Sequence, residues 1–415
     1  MSDLLSYLPA HDLTFFAETP VVFHCHHYNL FLDQSIDDAM GAEKGVDLRM
    51  RAAREAFRQL FSELIKKTGA STPEERLALA SQVFAGMGHG TLQIEGSRWG
   101  GQATGNFLHY GFAWKDKYSQ KLKRRHPADA VAAGAAAAAL EVAYDLTPLS
   151  VEGKETECIA LGDSACSFQL RSTKPEPLRK SVGKEDAKNV VKRAFTGIHE
   201  DDIVDRANKL RAFLETVKSD ERGLIQGFGV FVTMHLSAYY NRISYDALYE
   251  LQKQHPRSFG AMEALLREAG HVCGFNTFGG ILMSPEWEGL FGPLSGDPLE
   301  VLIGCCAIGR ALGFGHWCIE DFEPEKYFVL RTPSSYESNY HATRYPQAET
   351  GRCYLLQGGT LAQMQLAHRV KWKEKPDLTV EYYGELFRKG VPWKVQETKC
   401  ISKGDDCCEL VVDLK

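Results

Sequence analysis

A surplus of positive charge is missing from this 415-residue sequence: 48 Lys and Arg stand against 54 Asp and Glu, a net charge of −6. A general nucleic-acid binder needs a basic face, so no nucleic-acid partner is expected. Long apolar runs are missing too. The longest small-apolar run, Ala130–Leu140, falls far short of the roughly 20 residues that a membrane span needs. Glu141 and Asp145 then follow on the same expected helix. The first ten residues lack a basic segment followed by an apolar one, so no signal peptide is read and a cytoplasmic location is expected. Cysteine is sparse for a disulfide scaffold. There are 11, an odd number, which points to thiols or metal ligands. No Gly-x4-Gly-Lys-Ser/Thr phosphate loop occurs, Gly86-x-Gly88-x-Gly90 lacks the Rossmann spacing, and no helix-turn-helix can be argued.

What is present is the composition of a folded chain, 44% hydrophobic and 25% charged, with enough length for two or three domains. It also repeats itself. Glu155-Thr-Glu-Cys158-Ile-Ala-Leu-Gly162-Asp163-Ser-Ala-Cys166 is echoed by Glu397-Thr-Lys-Cys400-Ile-Ser-Lys-Gly404-Asp405-Asp-Cys407-Cys408, with seven identities at one offset. Gly88-His-Gly90 through Ile94-Glu95 is echoed by Gly313-Phe-Gly315 through Ile319-Glu320. His24-Cys25-His26-His27-Tyr28-Asn29-Leu30-Phe31 is set against His271-Val-Cys273-Gly-Phe275-Asn276-Thr-Phe278. The shared order of the three landmarks reads as an internal duplication.

The expected organisation is α+β: a first domain at 1–170, a connector with helices at 171–244, and a second domain at 245–415. Arg171–Arg193 carries eight Lys or Arg with Pro175 and Pro177, the composition of an exposed connector. Asp201–Val217, Asp47–Lys66, Pro73–Ala85 and Asp129–Tyr144 read as helices, the third starting at a Ser71-Thr72-Pro73-Glu74 cap. Residues 151–171 read as a terminal hairpin. Helices segregated from antiparallel strands in this way are typical of α+β folds.

In Cys158-x7-Cys166 the Gly162-Asp163 turn lies midway, so the two thiols face one another across the hairpin. Two thiolates so placed can share a tetrahedral metal. Cys400 and Cys408 repeat the arrangement around Gly404. Glu155 and Glu397 are candidate oxygen ligands. Each lies three residues before a cysteine, so a regular strand would turn it to the other face and a bulge is required. Two small core thiols are the alternative.

The motif Glu-x2-Cys-x3-Gly-Asp-x2-Cys, closing an α+β domain, resembles the 4-vinyl-reductase domain family. That family includes sensory domains of phenol-responsive bacterial activators, and its fold is similar to that of vesicle-tethering subunits. The resemblance covers twelve residues per half, with the helices Asp129–Tyr144 and Leu378–Lys389 before it. It implies a small-molecule or hydrocarbon pocket and, in some members, a zinc held by Glu155, Cys158 and Cys166 and by Glu397, Cys400 and Cys408. Metal-bearing members carry a further cysteine on the preceding helix. Asp129–Tyr144 has none, and Cys353 stands well upstream of the second motif.

Phe23-His24-Cys25-His26-His27-Tyr28 is the densest set of ligand-type residues. On a strand, His24 and His26 would point one way and Cys25 with His27 the other. Zinc or iron is the candidate metal there, with Cys25 as a further ligand. His26, His27, Glu95 and His109 are the candidate catalytic residues. His24, Tyr28, Trp99, Trp114, His316 and Trp317 are the candidate ligand-binding residues. Because only the first half carries the full histidine run, the functional pocket is expected there, bordered by His24, His26 or His27.

Two functions follow. The first is binding of an apolar or tetrapyrrole-like small molecule by tandem domains, as carrier, sensor or assembly factor. The second is a metal-dependent enzyme, such as an oxidoreductase, built on His24–His27. The expected partner is a small apolar or aromatic molecule, with a homodimer as a further expectation.

Overall fold

The computed structural model describes residues 4–120, 122–180, 182–190, 193–388 and 392–414, so Lys389, the last residue of the expected helix Leu378–Lys389, lies outside them. Three short strands, β1 (Leu5–Leu8), β2 (Leu13–Phe16) and β3 (Thr19–Cys25), lead straight into α1 (His26–Met40). Gly41, at φ 84°, ends that helix before α2 (Ala42–Thr68). α3 (Pro73–Gly86) opens on a capping box: the Thr72 hydroxyl accepts from the Glu75 N–H, and the Glu75 carboxylate accepts from the Thr72 N–H. β4 (Gln93–Ser97), β5 (Gly100–Gly105), α4 (His109–Lys117), α5 (Ala130–Ala143), β6 (Val151–Glu157) and β7 (Cys166–Ser172) complete a first half.

α6 (Lys184–Val190) and α7 (Glu200–Thr216) precede β8 (Ile225–Gly227) and β9 (Val230–Leu236), and β9 leads straight into α8 (Ser237–Gln254). α9 (Phe259–Cys273) passes through a π-helical turn, Gly274–Phe278, into α10 (Gly279–Leu282). α11 (Pro285–Phe291), α12 (Pro298–Ala311), β10 (Cys318–Glu323), β11 (Tyr327–Thr332), α13 (Tyr336–Arg344), α14 (Tyr354–Arg369), α15 (Val380–Arg388), β12 (Trp393–Lys399) and β13 (Cys408–Leu414) follow.

The fold is α+β, with helices packed on three antiparallel sheets. Two four-stranded sheets share one order, β4-β5-β7-β6 and β10-β11-β13-β12. Each is backed by a buried helix. α5 is buried over its whole length, and its one charged residue, Glu141, accepts from the Leu149 and Val151 N–H groups and pairs with Arg58. Its alanines let α2 close in, and a Cβ on Gly134 would collide with the Met50 carbonyl. α14 meets α9 in the same way at Gly358, against the Arg267 carbonyl. The third sheet, β1-β2-β3-β9-β8, joins the halves, with β3 antiparallel to β9.

Two expectations need correction. α8 is one continuous helix, so the boundary set at 244/245 falls inside it, and the stretch expected as connector supplies β8 and β9 to the shared sheet. His271 lies inside α9, whereas His24–Phe31 straddles the junction of β3 and α1, so those two landmarks are not counterparts. By element order the counterpart of His24-Cys25-His26-His27-Tyr28 is His235-Leu236-Ser237-Ala238-Tyr239, where β9 turns into α8. Sequence similarity misplaced it because helix and strand residues were matched by type alone. Among the described residues no helix is long and apolar enough to cross a membrane.

Candidate functional site

The hairpins closing the two halves agree in detail. Between β6 and β7 a 3-10 turn, Ile159–Leu161, ends on Gly162 at φ 109°; between β12 and β13 the turn Ile401–Lys403 ends on Gly404 at φ 92°. That left-handed backbone is why glycine stands there. The next residue folds back: Asp163 Oδ2 accepts from the Cys158 N–H and Asp405 Oδ2 from the Cys400 N–H, both at 2.8 Å. Cys166 Sγ accepts from the Ile159 N–H at 3.3 Å, and Cys408 Sγ from the Ile401 N–H at 3.4 Å. A bulge interrupts the ladder between Glu155 and Glu157 and again between Glu397 and Lys399. The bulge breaks the strict alternation that would have turned each glutamate away from its cysteine.

A fourth donor joins each hairpin from the residue just before a helix: Asp129 before α5 and Cys353 before α14. The ligand atoms of Asp129, Glu155, Cys158 and Cys166 all lie within 4.8 Å of one another, as do those of Cys353, Glu397, Cys400 and Cys408. In the second group the sulfur separations are 3.4 Å (Cys353–Cys408), 3.8 Å (Cys353–Cys400) and 3.9 Å (Cys400–Cys408). A tetrahedral ion at Zn–S of about 2.3 Å would hold sulfurs about 3.8 Å apart. Glu155 Oε2 accepts from the Asp129 N–H at 2.8 Å, and Glu397 Oε2 from Gln357 Nε2 at 2.8 Å and the Cys353 N–H at 3.3 Å. The other oxygen of each, Glu155 Oε1 and Glu397 Oε1, is buried with no hydrogen-bond partner among the described residues. Donor chemistry and separations fit a zinc-class divalent ion.

Crowding of acidic groups shapes the protonation of both tetrads. Burial, and then the Cys158 thiolate, push Asp129 up to about 7. Burial first and neighbouring anions second hold Glu155 and Glu397 well above the usual carboxylate range. Cys158 is drawn down to about 6, mainly by the Cys166 thiol, and Cys400 is drawn down by the thiols of Cys353 and Cys408. A bound divalent cation would favour the anionic form of all four donors.

A second cluster lies in the first half. His89 sits between Gly88 and Gly90, at φ 86° and 96°, and its carbonyl accepts from the His109 N–H at 3.0 Å, tying the turn to the start of α4. The His89 ring stacks on Phe84 (centroids 4.9 Å apart) and meets His235 edge-on at 4.6 Å, with Phe57 at 5.6 Å. His235 arrives from β9 and stacks on Tyr239 at 4.6 Å. His109 Nε2 lies 3.0 Å from Asn29 Nδ2, and Tyr240 donates to Asn29 Oδ1 at 2.6 Å. Both ring nitrogens of His89 and of His235, His109 Nδ1 and the Tyr110 hydroxyl are buried with no hydrogen-bond partner among the described residues. Burial drives His89 and His235 well below 6.5 and His109 to about 3, so these rings are neutral.

The second half repeats the frame with other side chains. Phe314 stands between Gly313 and Gly315, at φ 83° and 138°, and His24 arrives from β3. The His24 ring stacks on Tyr28 at 4.1 Å and Phe314 at 4.7 Å. Its nitrogens lie 3.4 Å from the Tyr336 hydroxyl and 3.6 Å from Cys273 Sγ.

The expected His24–His27 centre is therefore split. The strand ends at Cys25 and a helix starts at His26, so successive side chains no longer alternate between two faces. His24 enters the second half. Cys25 Sγ meets Thr277 Oγ1 at 3.1 Å and belongs to neither tetrad. His26 Nδ1 accepts from the Phe231 N–H at 3.3 Å, and His27 Nδ1 lies 2.5 Å from the Tyr118 hydroxyl. Among the described residues no three-donor cluster includes any of these.

Other expected residues are dispersed. Glu95 is exposed on β4, accepting from Gln102 Nε2 at 3.1 Å, and Trp99 is 81% exposed at the β4–β5 turn. Neither lines an enclosed site, because that face of the hairpin is the solvent face. Trp114 is buried, with the Arg124 guanidinium 5.0 Å from its ring. Trp317 is core, packed on Phe278 and Phe314 at 5.8 Å. His316 is held by Asp12 Oδ2 at 2.6 Å from Nδ1. Burial lowers its pKa, but the Asp12 hydrogen bond prevails and raises it to about 9. It forms part of an ion network with Glu200 and Arg310. Sequence reasoning missed Asp129, His89 and His235, and it noted Cys353 only as a cysteine well upstream of the second motif. The usable signals were the capping position of Asp129 and Cys353, the Gly-x-Gly frame of His89, and the His-x3-Tyr spacing shared by His24 and His235.

No family model matches the sequence, and no curated protein matches it. Among solved structures, the chain is similar to the phenol-responsive sensory domain of the transcription activator PoxR, crystallised with phenol. The identity is 12%, the TM-score 0.36, and the match covers 53% of this chain and 92% of that one.

Proposed function

We propose that this chain binds a small, flat, hydroxylated aromatic molecule in the nest of His89, His109, Tyr110 and His235, as a sensor or carrier. The observation that carries this reading is the convergence of fully buried imidazole and phenol groups without hydrogen-bond partners among the described residues. Buried polar groups in folded proteins are nearly always paired, and leaving one unpaired costs about 1–3 kcal/mol. A ligand hydroxyl is both donor and acceptor, and neutral imidazoles can meet either role. The walls formed by Phe57, Phe84 and Tyr239 suit an aromatic ring. His89 and His235 face one another at 4.6 Å, so a ligand enters as those rings part.

In the same reading the two tetrads hold zinc-class ions, and the chain is two domain-like halves. A zinc on Asp129, Glu155, Cys158 and Cys166 supplies a structural cross-link between the closing hairpin and the start of α5. Asp129 Oδ2 also accepts from the Gly111 N–H at 2.8 Å, one residue after Tyr110, so that tetrad steadies the α4 end of the nest.

Calorimetric titration of the full chain with phenol, with benzene as control, tests the reading. Phenol should bind and benzene should bind far more weakly, because a site built for a hydroxyl rejects the analogue without one. His89→Phe should weaken phenol binding at least about tenfold while the chain still folds, since the second half carries Phe314 in the same frame. Unchanged phenol binding in the folded His89→Phe variant, or no binding to the wild type, would overturn it.

A further inference from the structure

The two tetrads share three donors and differ in the fourth. Glu155, Cys158 and Cys166 correspond to Glu397, Cys400 and Cys408, but Asp129 stands where the second half has Cys353. One set is two carboxylates and two thiolates, the other one carboxylate and three thiolates. Fully ionised, both carry the same formal charge, so the contrast is one of softness and not of charge.

The surroundings widen the contrast. Cys400 Sγ lies 2.8 Å from the Ser402 hydroxyl, and Gln357 Nε2 donates to Glu397 Oε2 at 2.8 Å. The matching positions of the first half, one turn residue after Ile159 and four residues after Asp129, are Ala160 and Ala133, which have no side-chain donor. Outer partners of this kind fix the orientation of metal ligands, and losing them typically costs about 10–100-fold in affinity. Thiolate donors favour zinc and softer ions, while carboxylates widen acceptance toward harder ones.

We propose that the tetrads are metal sites of unequal character: Cys353, Glu397, Cys400 and Cys408 form a tight, soft zinc site, and Asp129, Glu155, Cys158 and Cys166 form a weaker, harder one that releases its ion first. This rests on the reading that the tetrads hold divalent ions at all. The unequal hold leaves the cross-link of the second half permanent, while the one under the ligand nest depends on the free metal level.

The test loads the full chain with zinc and then with cadmium-113. Two cadmium resonances should appear, the three-sulfur site downfield of the two-sulfur site. Stepwise competition with a chelator should remove one zinc at least about tenfold more readily than the other. Asp129→Cys should move the upfield resonance toward the downfield one and narrow the gap in release. If that variant does not fold, Cys353→Asp should make the converse shift. Two bound ions with one coincident resonance and one release step would overturn the inequality while leaving the metal reading intact. No bound ion at either site would overturn both.

Discussion

Phe23 and Met234 face one another across the β3–β9 ladder, and each stands two residues before the end of its own strand. The next residues are His24 and His235, and each reaches rings of the half that its own strand does not lead into. His235 thus reaches His89 and Tyr239 in the first nest, and His24 reaches Phe314 and Tyr336 in the second. Each nest is built from both halves, so neither half folds its own cluster alone.

The buried imidazole of His89 sets a pH dependence. Burial holds its folded pKa well below the unfolded value of 6.5, and the titratable group facing it is His235. For a histidine shifted this way the unfolded chain takes the proton first. Its effect on stability is absent above pH 6.5 and grows more unfavourable as pH falls below it. His89→Phe removes that penalty. The variant should be more stable than the wild type, and its advantage should widen by about 1.4 kcal/mol per pH unit between roughly pH 6.5 and 5. Urea denaturation of both proteins across that range checks it, and a constant difference would refute the argument.

Arg49 is fully buried and bonds Asp33 Oδ2 at 2.8 Å and Asp37 Oδ2 at 2.7 Å, joining α2 to α1. Tyr239 donates to Asp33 Oδ1 at 2.9 Å, which ties this pair to the nest. Among the described residues, removing Arg49 leaves Asp33 without a paired cation and Asp37 with only Arg124, whose Nη2 lies 3.3 Å from Asp37 Oδ2. Arg49→Met should cost about 3–5 kcal/mol, with part of the loss regained when Asp33→Asn is added. Chemical denaturation of the single and double variants measures both; a cost below about 1 kcal/mol, the range of surface pairs, would mean the network is not integral.

Gly351 packs against the Glu397 carboxylate so closely that a Cβ would collide with Oε2 and lie 3.0 Å from Cγ. Glu397 is clamped by Gln357 and the Cys353 N–H and has little room to retreat. Gly351→Ala should displace it and abolish the second tetrad while sparing the first. Zinc per folded chain, counted by elemental analysis, should fall by one. Unchanged zinc content together with unchanged release to a chelator would show that Glu397 does not help to hold the ion.

How much was legible beforehand depended on distance along the chain. The Cys-x3-Gly-Asp-x2-Cys hairpins were readable because their geometry is local: a left-handed glycine, an aspartate folding back on the first cysteine, and two sulfurs eight residues apart. The Thr72–Glu75 capping box and the buried alanine helix α5 were readable for the same reason. The α+β class follows from such local signals.

Tertiary structure alone decided the rest. Asp129 and Cys353 become donors because a helix start packs against a hairpin more than twenty residues later, a pairing that no spacing rule encodes. His89 and His235 meet because β3 pairs with β9, strands far apart in the sequence. The same pairing carried His24 away from His26 and His27, which as a sequence run had looked like one site. Trp99 and Glu95 face solvent because strand alternation reveals two faces but not which one is covered. Short-range backbone sterics and hydrogen bonds are written in adjacent residues; the burial of a face, and the company kept by a side chain there, are settled only when the whole chain has packed.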